Sequence, residues 1–108
     1  MNAYHVNRRT YAKVKKNKKS KYKSLVINKK RYYFYKIVWL DIVGDSGHAD
    51  ANEFLKLNPV EMVSYGYIFS KDNQCVRTFA SYDTTSESFS DRNCYPLGCI
   101  KQLQKINI

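Results

Sequence analysis

At 108 residues the chain has room for one small domain, and its formal net charge of +10 directs attention to anionic partners. Hydrophobic residues make up 44% of it, enough for a core, yet no apolar run reaches the roughly 18–20 residues that span a bilayer as a helix. The N-terminus lacks the apolar stretch of a secretory signal, and the three cysteines, Cys75, Cys94 and Cys99, form no CxxC pair. A soluble, cytoplasmic protein with buried or inert thiols is therefore expected.

The charge is divided sharply along the chain. Residues 1–36 hold 13 Lys/Arg and no Asp or Glu, whereas residues 37–108 hold six Lys/Arg and nine Asp/Glu. The contrast predicts a basic tail over residues 1–31 and a compact domain over residues 32–108. The stretch RRTYAKVKKNKKSKYKS (8–24) has almost no apolar residues, so it cannot offset its ordering entropy and is expected to be disordered alone.

The tail carries the chemistry that stands out. Arg8, Arg9, Lys13, Lys15, Lys16, Lys18, Lys19, Lys21 and Lys23, then Lys29, Lys30 and Arg31, are interleaved with Tyr11, Tyr22, Tyr32 and Tyr33. Lysines neutralise phosphates with release of counterions, and tyrosines stack on unpaired bases. These twelve cations are the candidate nucleic-acid-binding residues. Lysine outnumbers arginine, which favours point-charge contact over bidentate base readout and predicts weak sequence preference. A membrane surface is a poorer match because the tail has no apolar face. A/T-rich codon usage is a competing origin for the same residues: Lys, Asn, Tyr, Ile and Phe fill 45 of the 108 positions.

Strand-forming runs follow. SLVI (24–27) and YYFYKIVWLDIV (32–43), separated by NKKR, suit a hairpin or a strand joining the domain edge. In the second run Tyr35, Ile37, Trp39, Asp41 and Val43 share one face, and Lys36, Val38, Leu40 and Ile42 the other. Both faces are largely apolar, which predicts the central strand. After the turn-rich GDSGHAD, DANEFLKL (50–57) reads as a short helix. Asp50 is its N-cap, Glu53 the capping-box partner, Phe54, Leu55 and Leu57 its apolar face, and Pro59 lies beyond its end. EMVSYGYIFS (61–70) and CVRTFASYD (75–83) flank the polar turn KDNQ and predict an antiparallel hairpin. TTSESFSDRN (84–93) reads as a loop. CYPLGCIKQLQKINI (94–108) reads as a Pro-Leu-Gly turn leading into a last strand, directly or through one helical turn. Four to six short strands with one short helix predict a mainly β domain, a small SH3- or Sm-like open barrel behind the basic tail.

Catalytic and metal readings are weaker. Asp45, His48 and Asp50, with Asp41 nearby, are ligand types a divalent metal accepts, but their spacing matches no motif of known metal geometry. Turn formation and helix capping account for them instead. Ser46, His48 and Asp50 lie too close in sequence to align as a hydrolytic triad. No GxSxG, Walker A or GxGxxG motif occurs, and Cys94 and Cys99 do not complete a zinc site. The expectation is a protein without catalytic activity, resident metal or cofactor. Tyr65, Tyr67, Phe69 and Phe79 fit either a base-stacking platform or cross-strand packing, and Trp39 is the expected core anchor.

Trp39 and Asp41, then Ser64, Gly66 and Tyr67, and finally Pro96, Gly98, Cys99, Ile100 and Leu103 form a pattern over about residues 35–108. It resembles small uncharacterised proteins of tailed bacteriophages, with a Trp-x-Asp strand, a Ser-x-Gly-aromatic strand and a Pro-x-Gly-Cys-Ile ending. Leu103 stands where those proteins have isoleucine. The resemblance implies an accessory protein acting in an infected bacterium and no active site. It does not extend to the tail. Two functions are therefore expected in competition: binding of nucleic acid or another polyanion through the tail, or binding of a host or virion protein through the β domain.

Overall fold

The computed structural model describes residues 21–108, so Arg8, Arg9, Lys13, Lys15, Lys16, Lys18 and Lys19, and the disorder expected of the tail, lie outside the described residues. The first elements are β1 (Ser24–Ile27) and β2 (Lys30–Asp41), an antiparallel hairpin. Its two-residue turn places Asn28 and Lys29 at φ of 50° and 68°. Positive φ at both central positions matches the right-handed twist of the flanking strands, which is why such turns dominate tight hairpins.

The one-turn helix α1 (Ala51–Phe54) follows, then the long hairpin β3 (Val60–Lys71) and β4 (Cys75–Phe79). Next come β5 (Ser81–Asp83), β6 (Ser88–Ser90), β7 (Asn93–Pro96), a 3-10 turn at Leu97–Cys99, and β8 (Ile100–Lys105). The main sheet runs β1-β2-β3-β4-β7 with β8 also paired to β2, and β5 and β6 form a separate two-stranded sheet. Every strand pair is antiparallel.

The mainly β expectation with one short helix holds, as does the central position of β2. Its residues Phe34–Asp41 pair with β3 on one edge, while Tyr35–Trp39 pair with β8 on the other. Ile37 is fully buried and its neighbour Val38 is also buried, so both faces of the strand are covered. At Phe34 three segments meet. Phe34 N–H donates to the Lys23 carbonyl (2.9 Å), Lys23 N–H to that of Ile106 (2.8 Å), and Ile106 N–H back to that of Phe34 (3.0 Å).

No closed barrel forms among the described residues; the sheet is open. The architecture differs from expectation in its strand count. The described residues form eight strands rather than four to six: CVRTFASYD divides into β4 and β5, and the Ser/Thr-rich stretch read as a loop contains β6, paired to β5, and the start of β7. Asp83 accepts from the backbone N–H groups of Thr85 and Ser86, which turns the chain and lets two polar strands pair. Each strand needs only one apolar residue to anchor it. Tyr82 and Phe89 stand opposite each other and pack against the core formed by Ile27, Tyr32 and Phe79.

The sheet is strongly curled. Three strand steps separate β2 from β7, about 14 Å in a flat sheet, yet the rings of Trp39 and Tyr95 are 5.4 Å apart. Trp39, expected as a core anchor, is only half-buried and stands outside the buried core, its indole N–H donating to Ser64 Oγ at 2.9 Å. Gly66 allows the tight approach of β4 beneath β3. A Cβ there would meet the Phe79 carbonyl oxygen at 3.3 Å and Thr78 Cβ at 3.4 Å. Gly66→Val is therefore expected to destabilise the fold by about 1–3 kcal/mol through overpacking, measured by urea denaturation.

Candidate nucleic-acid interface

Five of the predicted cations fall within the described residues: Lys21, Lys23, Lys29, Lys30 and Arg31, all exposed. Hairpin geometry gathers them. Lys29 occupies the turn, Lys30 and Arg31 open β2, and Lys21 and Lys23 precede β1. Arg31 donates to Ser24 Oγ at 2.7 Å across the hairpin. The lysines lie over aromatic rings: Lys23 Nζ is 4.9 Å from the Phe34 centroid, and Lys30 Nζ is 5.4 Å from Tyr32 and 5.8 Å from Phe69. Such contacts hold an ammonium group at an exposed site by roughly 0.5–1 kcal/mol while leaving its outer side to water or an anion.

Lys29 is held in a conformation that favours glycine. An L-residue in the left-handed region costs roughly 1–2 kcal/mol. Lys29→Gly is accordingly expected to stabilise the protein by about 1 kcal/mol, seen as a higher denaturation midpoint, while weakening polyanion binding.

Pairing brings in further cations that sequence reasoning missed. Lys105, on β8, places Nζ 4.4 Å from the Tyr33 ring and 5.1 Å from that of Tyr22. Arg77 and Arg92 line an open groove of about 800 Å³ together with Phe69, Phe79 and Phe89. Arg77 is tethered by Ser70 Oγ at 3.3 Å and Asp72 at 3.6 Å. The backbone N–H groups of Cys75 and Gln74 hold the Asp72 carboxyl below its ordinary range, with Arg77 adding to the effect. Arg92 has no hydrogen-bond or ion-pair partner among the described residues, so its guanidinium remains available to an anion. Each of these cations is isolated in the linear sequence. Only strand pairing brings them near the hairpin.

The candidate platform splits in two. Tyr67 is packed between Phe34 (4.9 Å) and Phe79 (5.6 Å), and Phe79 is buried, so these are cross-strand packing residues. Tyr65 and Phe69 are exposed, and Phe69 borders the groove beside Lys30. The cysteines are unbridged, but none is buried as expected, and Cys94 is exposed because β7 lies at the edge of the main sheet. A hydrogen bond with the Cys94 side chain, in which the Cys75 thiol keeps its proton, and partial burial push the Cys75 thiol up.

The acidic residues of the long loop have structural partners. Asp45 accepts from Gly47 N–H at 2.8 Å, and Asp50 and Glu53 complete the expected capping box at 2.8 and 3.2 Å. Among the described residues no three His, Cys, Asp or Glu side chains converge to hold a metal ion. No helix among them is long and apolar enough to cross a membrane. No family model, curated protein or solved structure matches the chain.

Proposed function

We propose that the protein binds nucleic acid or a comparable polyanion, without catalysing a reaction, through its basic N-terminal tail together with the hairpin end of the sheet. The observation that carries this reading is the placement of Lys21, Lys23, Lys29, Lys30, Arg31 and Lys105 along the β1–β2 hairpin and the N-terminal half of β2, interleaved with aromatic rings. The cations supply charge neutralisation, and the exposed Phe69 supplies a surface on which an unpaired base can stack. Single-stranded nucleic acid is the favoured ligand because it alone uses both. The setting is an accessory protein of the tailed-bacteriophage kind, acting in the cytoplasm of an infected cell. The strand path supports the small SH3-like reading: β2, β3, β4 and β7 follow in order, and the 3-10 turn returns the chain to β2 as β8.

The test is fluorescence anisotropy of a labelled single-stranded oligonucleotide with the full chain and with a chain lacking residues 1–20. The cut belongs at 20 rather than 31, since residues 21–31 contain β1 and its turn. Absence of binding by either chain would sink the proposal and leave codon composition as the origin of the tail. A second reading, an adaptor for a host or virion protein, draws support from apolar side chains left exposed at the other end of β2.

A further inference from the structure

β2 has opposite charge at its two ends. It begins beside Lys29 with Lys30 and Arg31 and finishes at Asp41, about 36 Å away at the usual strand rise. Beyond Asp41 the chain makes an excursion, residues 42–60, in which every residue is exposed. Ile42 is 87% exposed, Phe54 66% and Leu55 80%. Met62, Val63 and Tyr65 continue this exposed apolar surface onto β3. Within the excursion the backbone is shaped by local bonds: the Asp50–Glu53 capping box, the Asp45–Gly47 turn and the Asn58 side chain donating to the Lys56 carbonyl. So many exposed large apolar side chains within one segment mark it as a place for docking.

Its charge says what docks there. The excursion carries Asp45, Asp50 and Glu53 against a single lysine, Lys56, with Asp41 at its root. Glu61, at the other root, is already paired to Lys101 at 2.8 Å. Two such faces brought together about a two-fold axis would set carboxylates against carboxylates, which like-charge repulsion opposes. The complementary surface is present on every copy of the same molecule: the β1–β2 hairpin, with Lys23, Lys29, Lys30 and Arg31 and the exposed apolar residues Val26 and Phe69.

We propose that the acidic, apolar excursion of one chain docks on the basic hairpin end of a second copy, so that the protein associates head to tail. Contact between two different patches is heterologous, and it closes into a ring or extends as a filament according to the rotation between copies. Phe54 and Leu55 are the apolar anchors, and Glu53 facing Lys30 of the next copy represents the charged contact.

Sedimentation velocity on the full chain, across a wide concentration range and at low and high salt, tests this without nucleic acid present. The expected result is concentration-dependent association that weakens with salt and falls at least about tenfold in the Phe54→Ser/Leu55→Ser variant. Glu53→Lys and Lys30→Glu should each reduce association alone, and mixing the two variants should recover it. These residues are exposed, so the variants keep the sheet. A monomer at every concentration overturns the proposal and leaves the face to the chain's own tail or to a foreign protein. Association indifferent to these changes also overturns it, as does association strengthened by Glu53→Lys alone, which would mean pairing of face on face.

Discussion

Phe79→Ala is expected to lower the stability of the protein by about 3–5 kcal/mol. Phe79 is only 2% exposed, and its ring lies 5.3 Å from Tyr32, 5.6 Å from Tyr67 and 4.7 Å from Phe89. Those three rings belong to β2, β3 and β6, so one side chain joins the main sheet to the small β5–β6 sheet. Removing it costs the transfer energy of a benzyl group and leaves a cavity that three rigid rings cannot collapse to fill. Domains of this size are stable by only about 5–15 kcal/mol in total. The variant should therefore show a much lower midpoint in urea, with Phe79→Leu falling between it and the parent. A loss below about 1 kcal/mol for Phe79→Ala would mean that the β5–β6 hairpin is not seated on the sheet.

Binding of single-stranded nucleic acid by the full chain should depend steeply on salt, and more steeply than binding by a chain lacking residues 1–20. For single strands the slope of log affinity against log salt is about −0.7 for each phosphate neutralised. If all twelve candidate cations contact phosphates, the slope approaches about −8. Seven of the twelve precede residue 21, and the remaining five, counted alone, give about −4 for the shortened chain. Affinities measured over a several-fold range of salt separate these values easily. Equal slopes for the two chains would place the contacts on the hairpin and groove and remove the tail from the interface. The Arg92→Ala variant then asks whether the groove contributes: a weaker affinity with a slope shallower by about 0.7 fits a single lost phosphate contact.

The readable parts of the fold were those written in local pattern. Ile37 and Val38, adjacent and both apolar, indicated a strand covered on two faces. Asp50 and Glu53, three residues apart, marked a helix start that the capping box then makes. The polar KDNQ between apolar runs marked the β3–β4 hairpin, where the Asp72 carboxylate accepts from the backbone N–H groups of Gln74 and Cys75. What sequence could not show depended on contacts between distant residues. The strands β5 and β6 carry one ring each in a polar background, and their stability comes from the core they touch rather than from any periodicity of their own. The curl of the sheet depends on Trp39 reaching Tyr95, 56 positions away, and on the absence of a side chain at Gly66. The groove was hidden for the same reason, since Arg77 on β4 and Arg92 just before β7 line it together only because β4 pairs with β7. The residues expected as the apolar face of the short helix, Phe54, Leu55 and Leu57, are all exposed.

The three backbone hydrogen bonds that link Phe34, Lys23 and Ile106 act as a clasp. Each residue gives one N–H and receives another, so detaching any one of them breaks two of the three bonds. Ile108 N–H adds a bond to the Lys21 carbonyl just outside the clasp. Fraying, which ordinarily proceeds independently from each extremity of a chain, is thereby coupled here. Residues 21–23 and 106–108 therefore let go together, and a pull on residue 21 is carried to Phe34 in the middle of β2 instead of to β1 alone.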